Sequence, residues 1–122
     1  MTLLHYLKKI RDGYVIRQVR NIHFPAFQPS PTVRENVRFS GRVQKIGFRL
    51  EIYELAKRLD LVGWVRNNKD KSVEAELQGE QGKIEFLISF MKGLKRASVR
   101  QVLREELPLK EEAGFILIKE EV

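Results

Sequence analysis

Residues 37–59, VRFSGRVQKIGFRLEIYELAKRL, change their hydrophobic period partway along, and that change decides the fold. Val37, Phe39, Gly41 and Val43 alternate with Arg38, Ser40 and Arg42, the period of two expected of a strand with one buried face. From Phe48 the spacing becomes helical. Phe48, Ile52, Leu55, Ala56 and Leu59 form one stripe, with Glu51, Glu54, Lys57 and Arg58 placed outside it. A strand therefore passes through a short loop containing glycine into a helix.

Outward from this unit the same two periods continue. Leu61 to Asn67 reads as a second strand, and Val73, Ala75 and Leu77, alternating with Glu74, Glu76 and Gln78, as a third. Gly82 precedes a helical stripe of Ile84, Leu87, Ile88, Met91 and Leu94 that closes near Gly93. Val99 to Leu107 is a fourth strand and Phe115 to Ile118 a short last one. The order predicts an α+β fold, the ferredoxin-like βαββαβ sandwich, with two helices on one face of an antiparallel sheet. Its first and third strands are neighbours, so Arg38 and Arg42 are expected to face Glu74 and Glu76. Trp64, Phe48 and Phe86 read as core.

Three prolines fall within residues 25–32, a density that neither a helix interior nor a central strand tolerates. The boundary is placed there, giving an N-terminal extension over residues 1–35 and a domain over residues 36–122. Within the extension Leu3, Leu7 and Ile10 recur at helical spacing up to an Asp12-Gly13 turn signal. Tyr14 to Phe24 fits either a strand or a second helix.

The 122 residues are 43% hydrophobic and 32% charged, about one globular domain. The absence of cysteine excludes a disulfide framework, a thiolate zinc site and a cysteine nucleophile. Apolar runs are far shorter than the roughly 20 residues that span a bilayer, so no membrane association is expected, and a cytoplasmic location is. The net charge of +7 is concentrated in the extension, where Lys8, Lys9, Arg11, Arg17, Arg20 and Arg34 face only Asp12 and Glu35. Such a balance attracts anions without choosing among them.

The chemistry sits in Gly41-Arg42-Val43-Gln44-Lys45-Ile46-Gly47-Phe48-Arg49. A loop entering a helix N-terminus presents free N–H groups and the positive end of the helix dipole, which suits a phosphate. It is not a Walker loop, because no Gly-Lys-Ser/Thr follows.

Together with Leu61-Val62-Gly63-Trp64-Val65-Arg66-Asn67, these nine residues closely resemble the acylphosphatase family. Its members carry Gly-Arg/Lys-Val-Gln-Gly-Val-x-Phe-Arg and, at the same separation, Gly-Leu-Val-Gly-Trp-Val-x-Asn. The resemblance extends from about Asn36 to Ile118 and leaves the extension unexplained. It implies hydrolysis of small acyl phosphates to a carboxylate and inorganic phosphate, without metal or organic cofactor. It also implies that Arg49, with the backbone of Gln44, Lys45, Ile46, Gly47 and Phe48, binds phosphate and that Asn67 orients the attacking water. The alternative is a catalytically weak anion-binding module of the same fold, whose basic arm takes nucleic acid or a protein partner. Against nucleic acid, the aromatic sheet motif of RNA-binding domains with this strand order is absent. Oligomeric state is marked by no motif.

Two positions depart from the family. Lys45 stands inside the loop, and Lys71 in the turn between the middle strands, where members usually have glycine. If the glycine at 45 is needed at positive φ, lysine costs on the order of 1–2 kcal/mol. Because about 1.4 kcal/mol in a barrier is tenfold in rate, strain of this size slows the reaction without abolishing it, whereas a loop forced into a different shape would do worse.

Overall fold

The computed structural model describes residues 2–120. Its elements are helix α1 (Leu3–Arg20), strand β1 (Thr32–Arg42), helix α2 (Phe48–Arg58), strands β2 (Val62–Asn67) and β3 (Val73–Glu80), helix α3 (Gln81–Lys92), and strands β4 (Ser98–Leu107) and β5 (Phe115–Ile118). The strands form one sheet in the order β4-β1-β3-β2-β5. Its first four members have the expected ferredoxin-like topology. β5 joins β2 in parallel, Gly63 opposite Phe115, so the sheet is mixed rather than wholly antiparallel.

The period-two residues Val37, Phe39, Val65, Val73, Ala75 and Leu77 meet the stripes of α2 and α3, and all are fully buried. Phe39 of β1 meets Phe48 of α2 edge-on, with ring centroids 5.3 Å apart. This contact sits at the mouth of the loop that joins the two elements, and so fixes where α2 begins relative to the sheet.

The extension folds differently from its local signals. α1 runs unbroken through Asp12-Gly13, started by Thr2, whose Oγ1 accepts from the His5 N–H at 3.1 Å. One glycine in a helix costs about 1 kcal/mol, less than the burial of Val15 and Val19 against α2 returns. The apolar residues that suggested the helix, Leu3, Leu7 and Ile10, remain 72%, 52% and 51% exposed. Arg58 secures the far end of α1 by donating to the carbonyls of Val19 and Ile22, and its guanidinium lies 4.1 Å over the Phe24 ring. After α1 the proline-containing segment lays Phe24 and Phe27 against Phe86 and reaches α3, where Ser30 Oγ accepts from the Gly82 N–H at 3.0 Å.

The sheet face away from the helices also departs from expectation. β1 begins at Thr32, which places Arg34 opposite Gln78 on that face. Arg34, fully buried, donates to Glu76 at 2.8 Å and to Glu112 of the β4–β5 loop at 2.9 Å. Glu76 is thus taken by Arg34, and Glu74 pairs with Arg38 at 3.4 Å. Arg42 meets neither, because the β1–β3 ladder stops at Phe39 and Arg42 lies opposite Ser98 of β4. Trp64 is not core: it alternates with Val65 to this same face, half-buried beneath the Arg66 guanidinium at 4.7 Å. Among the described residues, no helix is long and apolar enough to cross a membrane.

Candidate active site

Residues 44–47 carry the chain from β1 toward α2 as a run of bends. Gly47 is the N-cap, with φ 83° and no side-chain cap. A Cβ there would come 2.8 Å from Val15 of α1, so glycine is required both by the backbone and by the neighbouring helix. Among the described residues, none of the N–H groups from Gln44 to Phe48 donates to a backbone carbonyl in this loop. Orphan donors at a helix start, with the dipole behind them, form a concavity for an anion.

Two side chains hold the loop in shape. Gln44 Nε2 donates to the carbonyls of Asn68 at 2.8 Å and Ser72 at 2.9 Å, tying it to the β2–β3 turn. Arg96, between α3 and β4, donates to the Ile46 carbonyl at 2.8 Å, to Gln18 of α1 at 3.0 Å and to Glu51 of α2 at 2.5 Å. Glu51 therefore does not lie outside the α2 stripe as its spacing suggested; it is fully buried, and Oε2 has no hydrogen-bond partner. Burial pushes its carboxyl pKa up, against the opposing pull of Arg96.

Arg49, in the first turn of α2, reaches across to the end of β5. Its Nη1 donates to the carbonyls of Ile118 at 3.0 Å and Lys119 at 3.4 Å. Asn67 ends β2, and its Oδ1 is buried without a hydrogen-bond partner. The adjacent Asn68 is fully engaged: Nδ2 donates to Ser72 Oγ and to Glu74 Oε1, both at 3.0 Å, while Oδ1 accepts from Arg66 at 3.2 Å. Glu74 also accepts from Asn36 at 2.8 Å. Burial opposes its ionisation, but the hydrogen bonds from Asn36, Asn68 and Arg66 outweigh that and hold its pKa below the ordinary value.

Arg49 and Asn67 line one cleft of about 840 Å³ together with Gln44, Lys45, Gly47 and Phe48. Ile46, the remaining loop residue singled out from the sequence, turns its side chain onto the core. Lys45 has φ 65° and Lys71 φ 76°, so both lysines occupy left-handed conformations at the positions where the sequence pattern has glycine. Lys45 is exposed at the cleft mouth. The sequence reading did not find the cleft's other wall, which is α1, with Leu4, Leu7, Lys8 and Arg11. Its only trace in the sequence is the excess of cations in the extension, which carries no address.

The acylphosphatase family model matches residues 35–117. An acylphosphatase of Pseudomonas paraeruginosa is 45% identical over 78 residues, covering 63% of this chain and 86% of the relative. A solved acylphosphatase structure from Coxiella burnetii superimposes with a TM-score of 0.67 at 31% identity, covering 71% of this chain and 93% of the other. One from Bacillus subtilis gives 0.67 at 26% identity, covering 70% and 98%. α1 precedes the matched residues.

Proposed function

The chain belongs to the acylphosphatase family and is an enzyme that hydrolyses acyl phosphates, and we propose that Arg49, the loop amides from Gln44 to Phe48 and Asn67 carry out that reaction. The observation that supports these roles is the buried, unpartnered Oδ1 of Asn67, in the same cleft as a row of unspent N–H donors and the guanidinium of Arg49. A buried acceptor without a partner costs about 1–3 kcal/mol unless a ligand or water fills it.

In this reading the phosphoryl group sits in the loop. Its oxygens accept from the backbone amides and from the Arg49 guanidinium, which hold the charge spread over the three equatorial oxygens in a loose transition state. Asn67 Oδ1 accepts a hydrogen bond from the attacking water and aims its oxygen at phosphorus. The water oxygen bonds to phosphorus as the bond to the acyl oxygen breaks. The carboxylate leaves with the electron pair, and the water's proton passes to a phosphate oxygen or to solvent. A carboxylate needs no general acid to depart, so positioning and charge neutralisation supply the catalysis. Residues 1–31 form an addition to the catalytic domain, whose first strand begins at Thr32 rather than at the boundary expected after residue 35.

Two variants separate the roles. Arg49→Ala loses about 3 kcal/mol of transition-state stabilisation, as expected for one preorganised donor, and inhibition by inorganic phosphate weakens with it. Asn67→Ala lowers kcat for benzoyl phosphate but keeps that inhibition. Full activity in Arg49→Ala would discard the assignment.

A further inference from the structure

The reaction core described above needs only the loop, Arg49 and Asn67, yet the cleft that holds them is much larger than a phosphate. At about 840 Å³ it has the volume of sites that hold ligands of drug size. The extra space is bounded by α1. The C-terminal half of this helix is anchored through Val15, Val19 and the hydrogen bonds from Arg96 and Arg58. Its N-terminal half continues along the cleft, which it lines with Leu4, Leu7 and Lys8.

Both sides of this space carry leucines beside charged side chains. α1 presents Leu4 and Leu7, and the catalytic domain presents Leu50 of α2 and Leu117 of β5. Leu4 and Leu7 are 75% and 52% exposed and line the cleft. The cations that also line the cleft, Lys8, Arg11, Lys45 and Lys119, suit the phosphate end of a substrate.

We propose that the N-terminal half of α1 is the acyl-binding wall of the active site, and that it selects acyl phosphates with an extended apolar acyl chain over acetyl phosphate. This rests on the phosphate being held by Arg49 and the loop amides, which directs the acyl group outward between Leu4 and Leu7 on one side and Leu50 and Leu117 on the other. Each methylene so covered favours binding.

The test is calorimetric affinity for two hydrolysis-inert analogues, acetylphosphonate and hexanoylphosphonate. The full-length protein is expected to bind the hexanoyl compound about tenfold more tightly or better, a preference within what a few partly buried methylenes supply. Leu4→Ser/Leu7→Ser brings the two affinities together. Leu3→Ser/Ile10→Ser places the same changes on α1 positions outside the cleft lining and keeps the preference. Equal affinity of the two analogues for the wild type, or the same loss of preference in both double variants, would overturn the proposal. Failure of the underlying phosphate assignment reads differently: Arg49→Ala would then leave both affinities where they are, whatever their ratio.

Discussion

Gln44 Nε2 donates to the carbonyl of Asn68 at 2.8 Å, fastening the loop after β1 to the turn after β2. The same amide reaches the Ser72 carbonyl, and Asn68 is itself held by Ser72 and Glu74. The loop's shape is therefore set by a chain of hydrogen bonds ending at a buried carboxylate, none of which touches the proposed phosphate position.

Gln44→Ala removes both hydrogen bonds and leaves the Asn68 and Ser72 carbonyls with only their backbone partners, the N–H groups of Lys71 and Asn68. A loss of about 1–3 kcal/mol is expected for such unmade bonds. It is read as a lower denaturation midpoint and a raised inhibition constant for inorganic phosphate. An unchanged phosphate affinity would show that the loop keeps its shape unaided.

The same network carries a pH dependence. Glu74 has a depressed pKa in the fold, so it contributes full stability above its unfolded value, roughly 4.3. As pH falls below that value the unfolded chain takes up its proton first, and the contribution is gone once pH passes below the folded value. Glu51 acts in the opposite sense, since its raised pKa makes its contribution greatest in acid and smaller as pH rises through that folded value. Urea midpoints measured against pH are expected to fall on the acid side in wild type, and to fall less steeply in Glu74→Gln. Parallel curves for the two proteins would remove Glu74 from the account.

Lys45 holds φ 65° without the freedom of glycine. Lys45→Gly relieves left-handed strain of roughly 1–2 kcal/mol, offset in part by about 0.5–1 kcal/mol of extra unfolded-chain entropy. A net gain of about 1 kcal/mol is expected from chemical denaturation, with no gain in Lys45→Ala, which keeps the Cβ. Equal effects of the two substitutions would mean that the backbone is not the cause.

Gly13 lies inside α1, and a Cβ there would meet only the Arg17 guanidinium at an ordinary 3.5 Å. Gly13→Ala should stabilise the protein by about 0.5–1 kcal/mol, seen as slower hydrogen exchange along α1 and a higher melting temperature. Destabilisation would argue that the helix bends at this point in solution.

How much of this was readable from sequence differs by kind of feature. The strand and helix periods around residues 37–59 and 73–94 predicted which residues are buried, because alternation and helical spacing are imposed by the backbone itself. The Gly41–Arg49 and Leu61–Asn67 segments likewise brought Arg49 and Asn67 to one end of the fold. Misplacements came where a remote partner decided the outcome. Glu51 looked like a solvent-facing helix residue until Arg96, 45 positions later, came to pair with it. Glu76 took Arg34 rather than Arg42, because β1 reaches farther back than its apolar alternation shows.

The amino-acid order alone determined the element types from β1 onward, the β1–β3 pairing and the two side chains proposed to act in the reaction, since each depends on contacts near in sequence or on a motif of fixed spacing. Only the tertiary structure decided that α1 is one helix, that it docks through Val15 and Val19, and that it walls the cleft with Leu4 and Leu7. A helix's intrinsic signals are worth tenths of a kcal/mol per residue, whereas the surface it buries against a partner is worth several. That partner is specified nowhere in the helix's own residues.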